Sequence, residues 1–329
     1  MKVHILDDWY DVLRGLPSFA MLDEHDVTVW TDRAPDDATL AARLADADAV
    51  VLFRDRTPIT AALAGQMNGP KLIAMRGQHN HVDHDALTRA GILFCSHMAV
   101  DGPSTSTAEL TFGLVIAAMR YLPEQIASAR AGQWQAAAPL GRNVGGKTLG
   151  LYGHGKIAGA VAGFARAFGM EVQYWGSDKG RDRARAAGET VPESREAFFA
   201  TSDVVSIHKR LSPDTKGEIT RADLMAMKPD SILVNTSRSG LVEKGAILAA
   251  LEAGTLGRAA LDVFDVEPLT DASDPLLSHP QVIPTPHVGF VTAEELDRQF
   301  TDIYALVNAF ATGAPQHMVN PEAWTGDRS

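Results

Sequence analysis

The sequence has few of the features that mark secreted, nucleic-acid-binding or membrane-spanning chains. Its 329 residues include 1 cysteine, Cys95, so no internal disulfide can form and nothing demands an oxidising compartment. Lys and Arg number 30 against 41 Asp and Glu, and the net charge of −11 argues against a nucleic-acid partner, which requires a basic face. The most apolar stretch, "FGLVIAAM" from Phe112, is too short to cross a bilayer.

The N-terminal segment "MKVHILDDWY" has neither the long apolar run nor the small-residue cleavage site of a signal peptide. The hydrophobic content of 45% and charged content of 22% are ordinary for a globular protein. We therefore expect a cytoplasmic protein without a membrane partner, with roughly two domains of about 150 residues each.

Short apolar runs alternate with segments of helical spacing along nearly the whole chain. Such alternation is typical of βαβ units and parallel sheets, so the predicted class is α/β. The predicted strands are 2–6, 27–30, 49–53, 71–75, 92–95, 148–153, 171–175, 204–208, 231–235, 258–264 and 281–284. Longer helices are expected at 106–121, after residue 155, at 244–254 and from about residue 292. The first of these is apolar nearly all round, which predicts burial between layers, domains or subunits.

The segment "TLGLYGHGKIAGA" contains the spacing of a dinucleotide-binding turn. Gly153, Gly155 and Ala158 fit G-x-G-x-x-G/A between a predicted strand and a predicted helix. The first glycine permits the tight turn, the second lets a pyrophosphate approach the backbone, and the third position needs only a small residue. Phosphates would then lie at the helix N-terminus, where unpaired N–H groups favour anions. A glycine-rich turn without a ligand is the alternative interpretation.

The turn lies in the middle of the chain, which suggests an inserted domain. Segments rich in Gly, Pro and Ser at 101–106 and 284–290 are the best boundary candidates. We predict two Rossmann-like or flavodoxin-like domains with parallel sheets. The nucleotide domain, 101–288, would be inserted into a substrate domain made of 1–100 and 289–329.

The choice between NAD and NADP depends on the residues after the strand "EVQYW". An NAD enzyme usually carries an acidic residue at the end of this strand, where the present chain has Gly176. Lys179 and Arg181 come shortly afterwards, and a 2′-phosphate would favour them, so NADP is slightly preferred over NAD. The alternative is that they are solvated charges on the next helix.

Three candidate catalytic residues follow three predicted strands. Arg238 follows 231–235, Glu267 follows 258–264, and His287 follows 281–284. Ligands of open α/β sheets bind at the carboxyl ends of the strands. An Arg can hold a carboxylate bidentately, a His can donate a proton to a forming alkoxide, and a carboxylate can orient the imidazole. From spacing alone, each of the three could equally be structural.

The sequence resembles the D-isomer-specific 2-hydroxyacid dehydrogenase family. The resemblance is carried by "TLGLYGHGKIAGAVA", "VVSIHKRLSPDTKGEI", "MKPDSILVNTSRSGLVEKGAILAALEAGTLGRAALDVFDVEPL" and "PTPHVGF", in that order. It implies a reversible NAD(P)-dependent reduction of a 2-oxo acid to a D-2-hydroxy acid. Arg238 would bind substrate, His287 would be the general acid/base with Glu267 as its partner, and Asp262 would bind the nicotinamide carboxamide.

The same resemblance implies further roles. The loop Arg76-Gly77-Gln78 would offer backbone amides to the substrate carboxylate, and Arg54 would face the substrate. The pair Lys209-Arg210 departs from the apolar pair often found there, which again permits a 2′-phosphate. The predicted cofactor-binding set is Gly153, His154, Gly155, Lys156, Ile157, Ser177, Lys179, His208, Lys209, Thr236, Ser237, Asp262 and Gly289.

Two other features admit competing interpretations. The run "HNHVDHD" at 79–85 has residue types that can bind zinc, but we interpret it as a loop entering a helix and expect no metal. Cys95, in an apolar strand, is interpreted as a buried hydrophobic residue rather than a nucleophile. The apolar helix and the resemblance both favour a homodimer. The alternatives are a dinucleotide-sensing, corepressor-like binding protein on the same scaffold, and an enzyme with formate as substrate.

Overall fold

The computed structural model describes residues 1–98 and 105–326. The first predicted boundary, 101–106, lies mostly outside these residues. The strands are β1 Lys2–Ile5, β2 Asp26–Val29, β3 Ala49–Val51, β4 Leu72–Arg76, β5 Leu93–His97, β6 Thr148–Tyr152, β7 Glu171–Trp175, β8 Val204–Ile207, β9 Ile232–Asn235, β10 Arg258–Leu261 and β11 Val282–Pro284. The helices are α1 Asp37–Arg43, α2 Ala61–Ala64, α3 His84–Arg89, α4 Ser106–Arg120, α5 Leu122–Arg130, α6 Lys156–Ala167, α7 Asp178–Ala186, α8 Arg195–Thr201, α9 Arg221–Met225, α10 Ala246–Glu252, α11 Pro275–Ser278 and α12 Ala293–Ala311.

The chain divides into two compact units. Unit 1 comprises Met1–Asp101 with Thr292–Ser329, and unit 2 comprises Gly102–Val291. The second crossing therefore comes after Val291, where the sequence suggested residue 288. The physical reason is that the Asp262 carboxylate accepts hydrogen bonds from the amides of Val288 and Gly289, which ties this segment to unit 2.

Unit 1 contains a five-stranded parallel sheet in the order β2-β1-β3-β4-β5. Its central strands are apolar on both faces, as in Ala49–Val51, which is fully buried. A parallel strand covered on both sides is a continuous hydrophobic run, because neither face meets water. The C-terminal helix α12 belongs to this unit and packs against β4 and β5.

Unit 2 contains a six-stranded parallel sheet in the order β11-β10-β9-β8-β6-β7. Two hydrophobic clusters cover its two faces, one including α4 and α6 and the other including α8 and α10. The chain runs from β6 to β7 on one side and then returns to β8 on the other. The order therefore reverses between β6 and β8, and such a switch point is where open α/β sheets bind ligands. Both sheets are parallel and carry helices, so the predicted α/β class is confirmed.

Element ends agree with local signals in the sequence. Helix α6 stops at Ala167, just before Gly169 takes a φ of 76°. The long apolar helix α4 ends at Arg120, and Tyr121 adopts a left-handed φ of 51°. The predicted strand 258–264 is shorter in the structure and stops at Leu261, and the carboxylate of the next residue, Asp262, accepts from the amide of Val288. Within residues 1–98 and 105–326 no helix is both long and apolar enough to span a bilayer.

Candidate active site

The glycine turn joins β6 to α6 at the switch point of unit 2. Gly153 has a φ of 125°, and a Cβ there would lie 2.2 Å from the carbonyl oxygen of His208, the residue after β8. Only glycine satisfies both conditions, since L side chains rarely adopt that φ and the carbonyl is backbone. The third position of the motif, Ala158, is 0% exposed, which explains why it must be small.

The second glycine leaves open space in front of helix α6. Gly155 is the N-cap residue, and a Cβ built on it would meet no atom within 4 Å. The first-turn amides of Lys156 and Ile157 lack intrahelical acceptors, as at every helix start, and the helix dipole is positive there. The His154 ring packs edge-on against Tyr174, with centroids 5.0 Å apart. The residues present therefore fit a dinucleotide pyrophosphate bound at this end of the helix.

His208 lies beside the glycine turn as a neutral imidazole. Its Nε2 is 2.9 Å from the hydroxyl oxygen of Ser206, and its amide donates to the carbonyl of Tyr152. Burial lowers the pKa of His208 to about 4. The side chain therefore carries no charge at neutral pH, while the backbone of the same residue contacts Gly153.

The loop after β9 is shaped by its own side chains. Asn235 accepts a hydrogen bond from the amide of Ser237 at 3.0 Å and donates its Nδ2 to the carbonyl of Arg238 at 3.0 Å. The Ser237 hydroxyl donates to the carbonyl of Ile207 on β8. The loop is thus tied to two strands, and Arg238 comes directly after a fixed turn.

The loops after β10 and β11 bring Glu267 and His287 together. Glu267 Oε2 lies 2.5 Å from His287 Nδ1, and Glu267 Oε1 accepts from the amide of Phe264. The two side chains are 34% and 21% exposed, so the pair is accessible from solvent. Because the carboxylate holds Nδ1, the Nε2 atom is the ring nitrogen left to exchange a proton.

Asp262 accepts hydrogen bonds from residues on both sides of His287. Its Oδ1 accepts from the Thr285 hydroxyl at 2.6 Å and from the Val288 amide, and its Oδ2 accepts from the Gly289 amide at 2.8 Å. The residue is 0% exposed, and burial raises its pKa although these three donors oppose the shift. Its predicted contact to the nicotinamide carboxamide would be additional to these bonds. In the structure Asp262 holds the His287 loop, in which His287 has a φ of 53°.

Comparisons with known proteins identify the family of the chain. The sequence model "D-isomer specific 2-hydroxyacid dehydrogenase, NAD binding domain" matches residues 112–289. The chain belongs to this family. It is 34% identical over 279 residues to D-3-phosphoglycerate dehydrogenase of Bacillus subtilis, covering 84% of this chain and 52% of that protein. It is 34% identical over 309 residues to glyoxylate reductase of Aeropyrum pernix, covering 91% and 90%.

Solved structures give the same result for the whole fold. A phosphoglycerate oxidoreductase from Vibrio cholerae matches with a TM-score of 0.90 and 41% identity, over 95% of this chain and 100% of that one. The chain spans about half the length of the phosphoglycerate dehydrogenases it matches, but nine-tenths of the glyoxylate reductase. The family match covers unit 2 almost entirely, and therefore includes the glycine turn, Arg238, Glu267 and His287.

In this family member, no carboxylate stands at the end of β7. Gly176 and Ser177 come after the strand, and Ser177 caps α7 by accepting from the Gly180 amide. Arg181 stacks over Trp175 at 4.4 Å, donates to the Gly176 carbonyl and pairs with Asp178. The run 178–185 lies within α7, and the Lys179 side chain is exposed, so it is accessible to solvent or to a 2′-phosphate.

Lys209 has a carboxylate partner that the sequence did not reveal. It forms an ion pair with Glu218, which also accepts from the Tyr152 hydroxyl at 3.0 Å. The same hydroxyl accepts from Arg195, whose guanidinium pairs with both oxygens of Asp223. Since Glu218 neutralises Lys209, the predicted contact of Lys209 to a 2′-phosphate would require this pair to separate.

Two threonines of α4 contact the site and were not predicted. Thr107 donates its hydroxyl to the carbonyl of Gly289 at 2.9 Å. Thr111, one turn later, lies 2.7 Å from the hydroxyl of Thr236. The only signal in the sequence is the pair of hydroxyl residues spaced four apart in an otherwise apolar helix, which places both on one face.

The predicted substrate residues of unit 1 have partners within that unit. Arg76 is buried, and its Nε lies 2.7 Å from Asp302 of α12. The Gly77 amide donates to the carbonyl of His97, so it is already used, whereas the Gln78 amide has no backbone acceptor within residues 1–98 and 105–326. Arg54, with a φ of 59°, approaches Gln299 at 3.4 Å.

The histidine-rich run and the cysteine show ordinary structural roles. The Nδ1 atom of His79 lies 2.8 Å from the Nε2 atom of His84. Asp83 caps α3 by accepting a hydrogen bond from the Ala86 amide. Among the residues that the structure describes, no group of three potential metal ligands comes together. Cys95 is fully buried as predicted, and burial raises the pKa of its thiol to about 12.

Proposed function

We propose that the chain is an NAD(P)-dependent D-2-hydroxyacid dehydrogenase that interconverts a 2-oxo acid and a D-2-hydroxy acid. The observation that carries this proposal is the 2.5 Å contact between His287 and Glu267 on the sheet that also bears the glycine turn. A binding protein needs the turn alone, whereas an oriented His–carboxylate pair is the arrangement of a general acid/base.

The proposed mechanism assigns one task to each side chain. When bound, the dihydronicotinamide supplies the hydride that reaches the carbonyl carbon of the 2-oxo acid. Arg238 binds the substrate carboxylate through its planar guanidinium and polarises the adjacent carbonyl. His287 donates the proton on Nε2 to the oxygen as it becomes an alkoxide, and Glu267 stabilises the imidazolium form before transfer. In the reverse direction neutral His287 takes the hydroxyl proton.

The remaining predicted contacts are part of the same proposal. The backbone from Gly153 to Ile157 would hold the pyrophosphate, with His208, Thr236 and Ser237 along the cofactor. Arg54 and the loop Arg76-Gly77-Gln78 remain substrate candidates on the resemblance alone. Because the Arg76 side chain pairs with Asp302, its contribution would be limited to the backbone.

We propose that NADPH binds more tightly than NADH. The support is the sequence Gly176-Ser177 in place of a carboxylate at the end of β7, together with exposed Lys179. A 2′-phosphate near Ser177 would meet no carboxylate at the strand end itself, and the carboxylate of the next residue, Asp178, is paired with Arg181.

A single panel tests these proposals. The purified chain is assayed with glyoxylate, hydroxypyruvate, pyruvate and bulkier 2-oxo acids, each with NADH and NADPH, and both cofactors are titrated by fluorescence. We expect turnover with at least one 2-oxo acid and a lower dissociation constant for NADPH. Cofactor binding without any turnover would instead favour a regulatory binding protein, and preference for NADH would contradict the phosphate argument.

We also propose a homodimer built on α5 and the segment after it. Large apolar side chains are exposed there, with Ile126 at 49%, Trp134 at 77% and Leu140 at 93%. A second copy of the chain would remove these side chains from water. Light scattering during size exclusion should give twice the mass of 35.2 kDa. The Leu140→Asp variant should shift toward the monomer, whereas Phe168→Asp, which alters an exposed apolar residue at the end of α6, serves as the comparison.

A further inference from the structure

The hydroxyl of Thr111 on α4 is fully buried between two oxygen atoms. It lies 2.7 Å from the backbone carbonyl of Thr107, one turn earlier on the helix, and 2.7 Å from the hydroxyl of Thr236. Thr111 is 0% exposed and Thr236 is 7% exposed, so water does not substitute for either contact. Each of the two oxygen–oxygen distances at Thr111 must therefore be a hydrogen bond whose hydrogen comes from the hydroxyl of Thr111 or of Thr236.

The count of hydrogens fixes the direction of both bonds. A threonine hydroxyl has one hydrogen and two lone pairs, and a carbonyl oxygen can only accept. Thr111 must give its hydrogen to the Thr107 carbonyl, since two acceptor oxygens at 2.7 Å would otherwise repel each other. The hydrogen between the two hydroxyls therefore comes from Thr236.

This direction has a consequence for the loop after β9. Once Thr236 has given its only hydrogen to Thr111, its oxygen retains a lone pair and can only accept from any further group. Resting on the proposed function, in which Thr236 lies along the cofactor, we propose that Thr111 is a positioning residue that makes Thr236 an obligatory hydrogen-bond acceptor. The partner on the cofactor is then a donor, either a ribose hydroxyl or the carboxamide NH2.

We call the two successive hydrogen bonds, from Thr236 to Thr111 and from Thr111 to the Thr107 carbonyl, the relay. The surrounding contacts hold the loop that carries Thr236 in place. Ser237 is fixed through its hydroxyl to Ile207, and its amide is fixed to Asn235, so Thr236 cannot rotate away from α4 by moving the loop. On the same face of the helix, Thr107 holds the Gly289 carbonyl. Helix α4 thus places one hydroxyl on each of the two loops that carry Arg238 and His287.

The test measures cofactor dissociation constants in variants of the intact chain. Thr111→Val keeps the shape of the side chain and removes the acceptor, so NADPH and NADH should each bind about five-fold more weakly, equivalent to one neutral hydrogen bond. Thr111→Ser should restore the parent value. Thr301→Val is the control, because Thr301 makes the same bond to the carbonyl four residues earlier at an exposed position of α12.

A double-mutant cycle separates the relay from a purely structural role. In a Thr236→Val background, Thr111→Val should cause no further weakening, because the oriented oxygen is already gone. Additive losses, an unchanged dissociation constant in Thr111→Val, or failure of Thr111→Ser to restore binding would each overturn the relay. If Thr111→Val does not fold, judged by thermal unfolding, Thr111→Ala takes its place in the same cycle.

A cofactor analogue identifies the donor and keeps the two proposals distinguishable. The acetylpyridine analogue has a methyl group in place of the carboxamide NH2. If the NH2 is the donor, Thr111→Val should not weaken binding of this analogue, and if a ribose hydroxyl is the donor, the loss should equal that for NADH. A parent chain that binds no nicotinamide dinucleotide would refute the proposed function itself, whereas a parent that binds with no effect of Thr111→Val refutes the relay alone.

Discussion

The two units both reverse their strand order at a switch point and use that point differently. In unit 1 the order reverses between β1 and β3, as it does between β6 and β8 in unit 2. After β1, Asp7 accepts from the Thr57 hydroxyl at 2.5 Å, and Arg56 donates to the Asp7 carbonyl, so the polar groups at this strand end bond to one another. After β6, Gly153 allows close contact with the backbone of His208, and Gly155 leaves open space in front of α6. A parallel sheet offers a crevice at such a point, and small residues keep it available.

The histidine–carboxylate pairs of the two units differ in the other groups that the carboxylate contacts. In unit 1, His97 at the end of β5 lies 3.4 Å from Asp302, but Arg76 lies closer to the same carboxylate, at 2.7 Å. In unit 2, the Glu267 carboxylate contacts His287 and the Phe264 amide, and neither contact is a lysine or an arginine. A carboxylate neutralised by arginine stabilises a fold, whereas one reserved for an imidazole can stabilise its protonated form.

The largest expected effect is a difference in kcat between variants of His287 and His97. His287→Ala should lower kcat by about 10²–10⁴-fold, the usual contribution of a general acid, while NADPH binding stays within about two-fold of the parent. His97→Ala, which removes the matched pair in unit 1, should change kcat by only a few fold. Steady-state kinetics and fluorescence titration of both variants provide the measurement, and equal losses would contradict the comparison.

The next effect concerns stability in unit 1. Arg76→Met leaves the buried Glu295 and the half-buried Asp302 without their shared cation, and should lower the free energy of unfolding by about 3–5 kcal/mol. Arg298→Met removes a more exposed cation from the same Glu295 and should cost about 1 kcal/mol or less. Urea titrations of the two variants measure the difference. A larger loss of unfolding free energy in Arg298→Met than in Arg76→Met would show that burial does not determine how much these ion pairs stabilise the fold.

The smallest effect is a pH dependence in unit 2. The folded pKa of His208, about 4, lies below the ordinary value of 6.5, so the unfolded chain binds more protons between these values. Stability from this residue is complete above pH 6.5 and is lost as the pH falls toward 4, by on the order of 3 kcal/mol. Urea titrations at about pH 7.5, 5.5 and 4.5 should show that His208→Gln loses less stability over this range than the parent. Parallel pH profiles would refute the shift.

Local pattern predicts the elements well and their spatial order hardly at all. Each predicted strand overlaps a strand of the structure, because buried parallel strands are short apolar runs between helical segments. The orders of the two sheets could not be predicted, since runs such as Ala49–Val51 and Ile232–Asn235 are buried on both faces. Nothing in such a run specifies which neighbour it pairs with.

At the site, the sequence predicts the functional residues that come directly after strand ends. It does not predict the residues whose hydrogen bonds hold those loops in place. The resemblance pairs Glu267 with His287, and in the structure the two side chains are 2.5 Å apart. Thr111 and Thr107 escape prediction because their partners lie 125 and 182 residues away along the chain. The same applies to the structural role of Asp262, whose three donors come from a loop more than twenty residues further along the chain.

The single cysteine gives the molecule a built-in chemical reporter. Cys95 is on β5 of unit 1, fully enclosed, and its thiol stays protonated far above neutral pH. A disulfide reagent can label the chain only when β5 opens, so the labelling rate in the native state counts openings of unit 1 while unit 2 contributes no signal. Comparing the labelling rate with and without cofactor would show whether a ligand bound at the glycine turn of unit 2 slows the local opening of the sheet in unit 1.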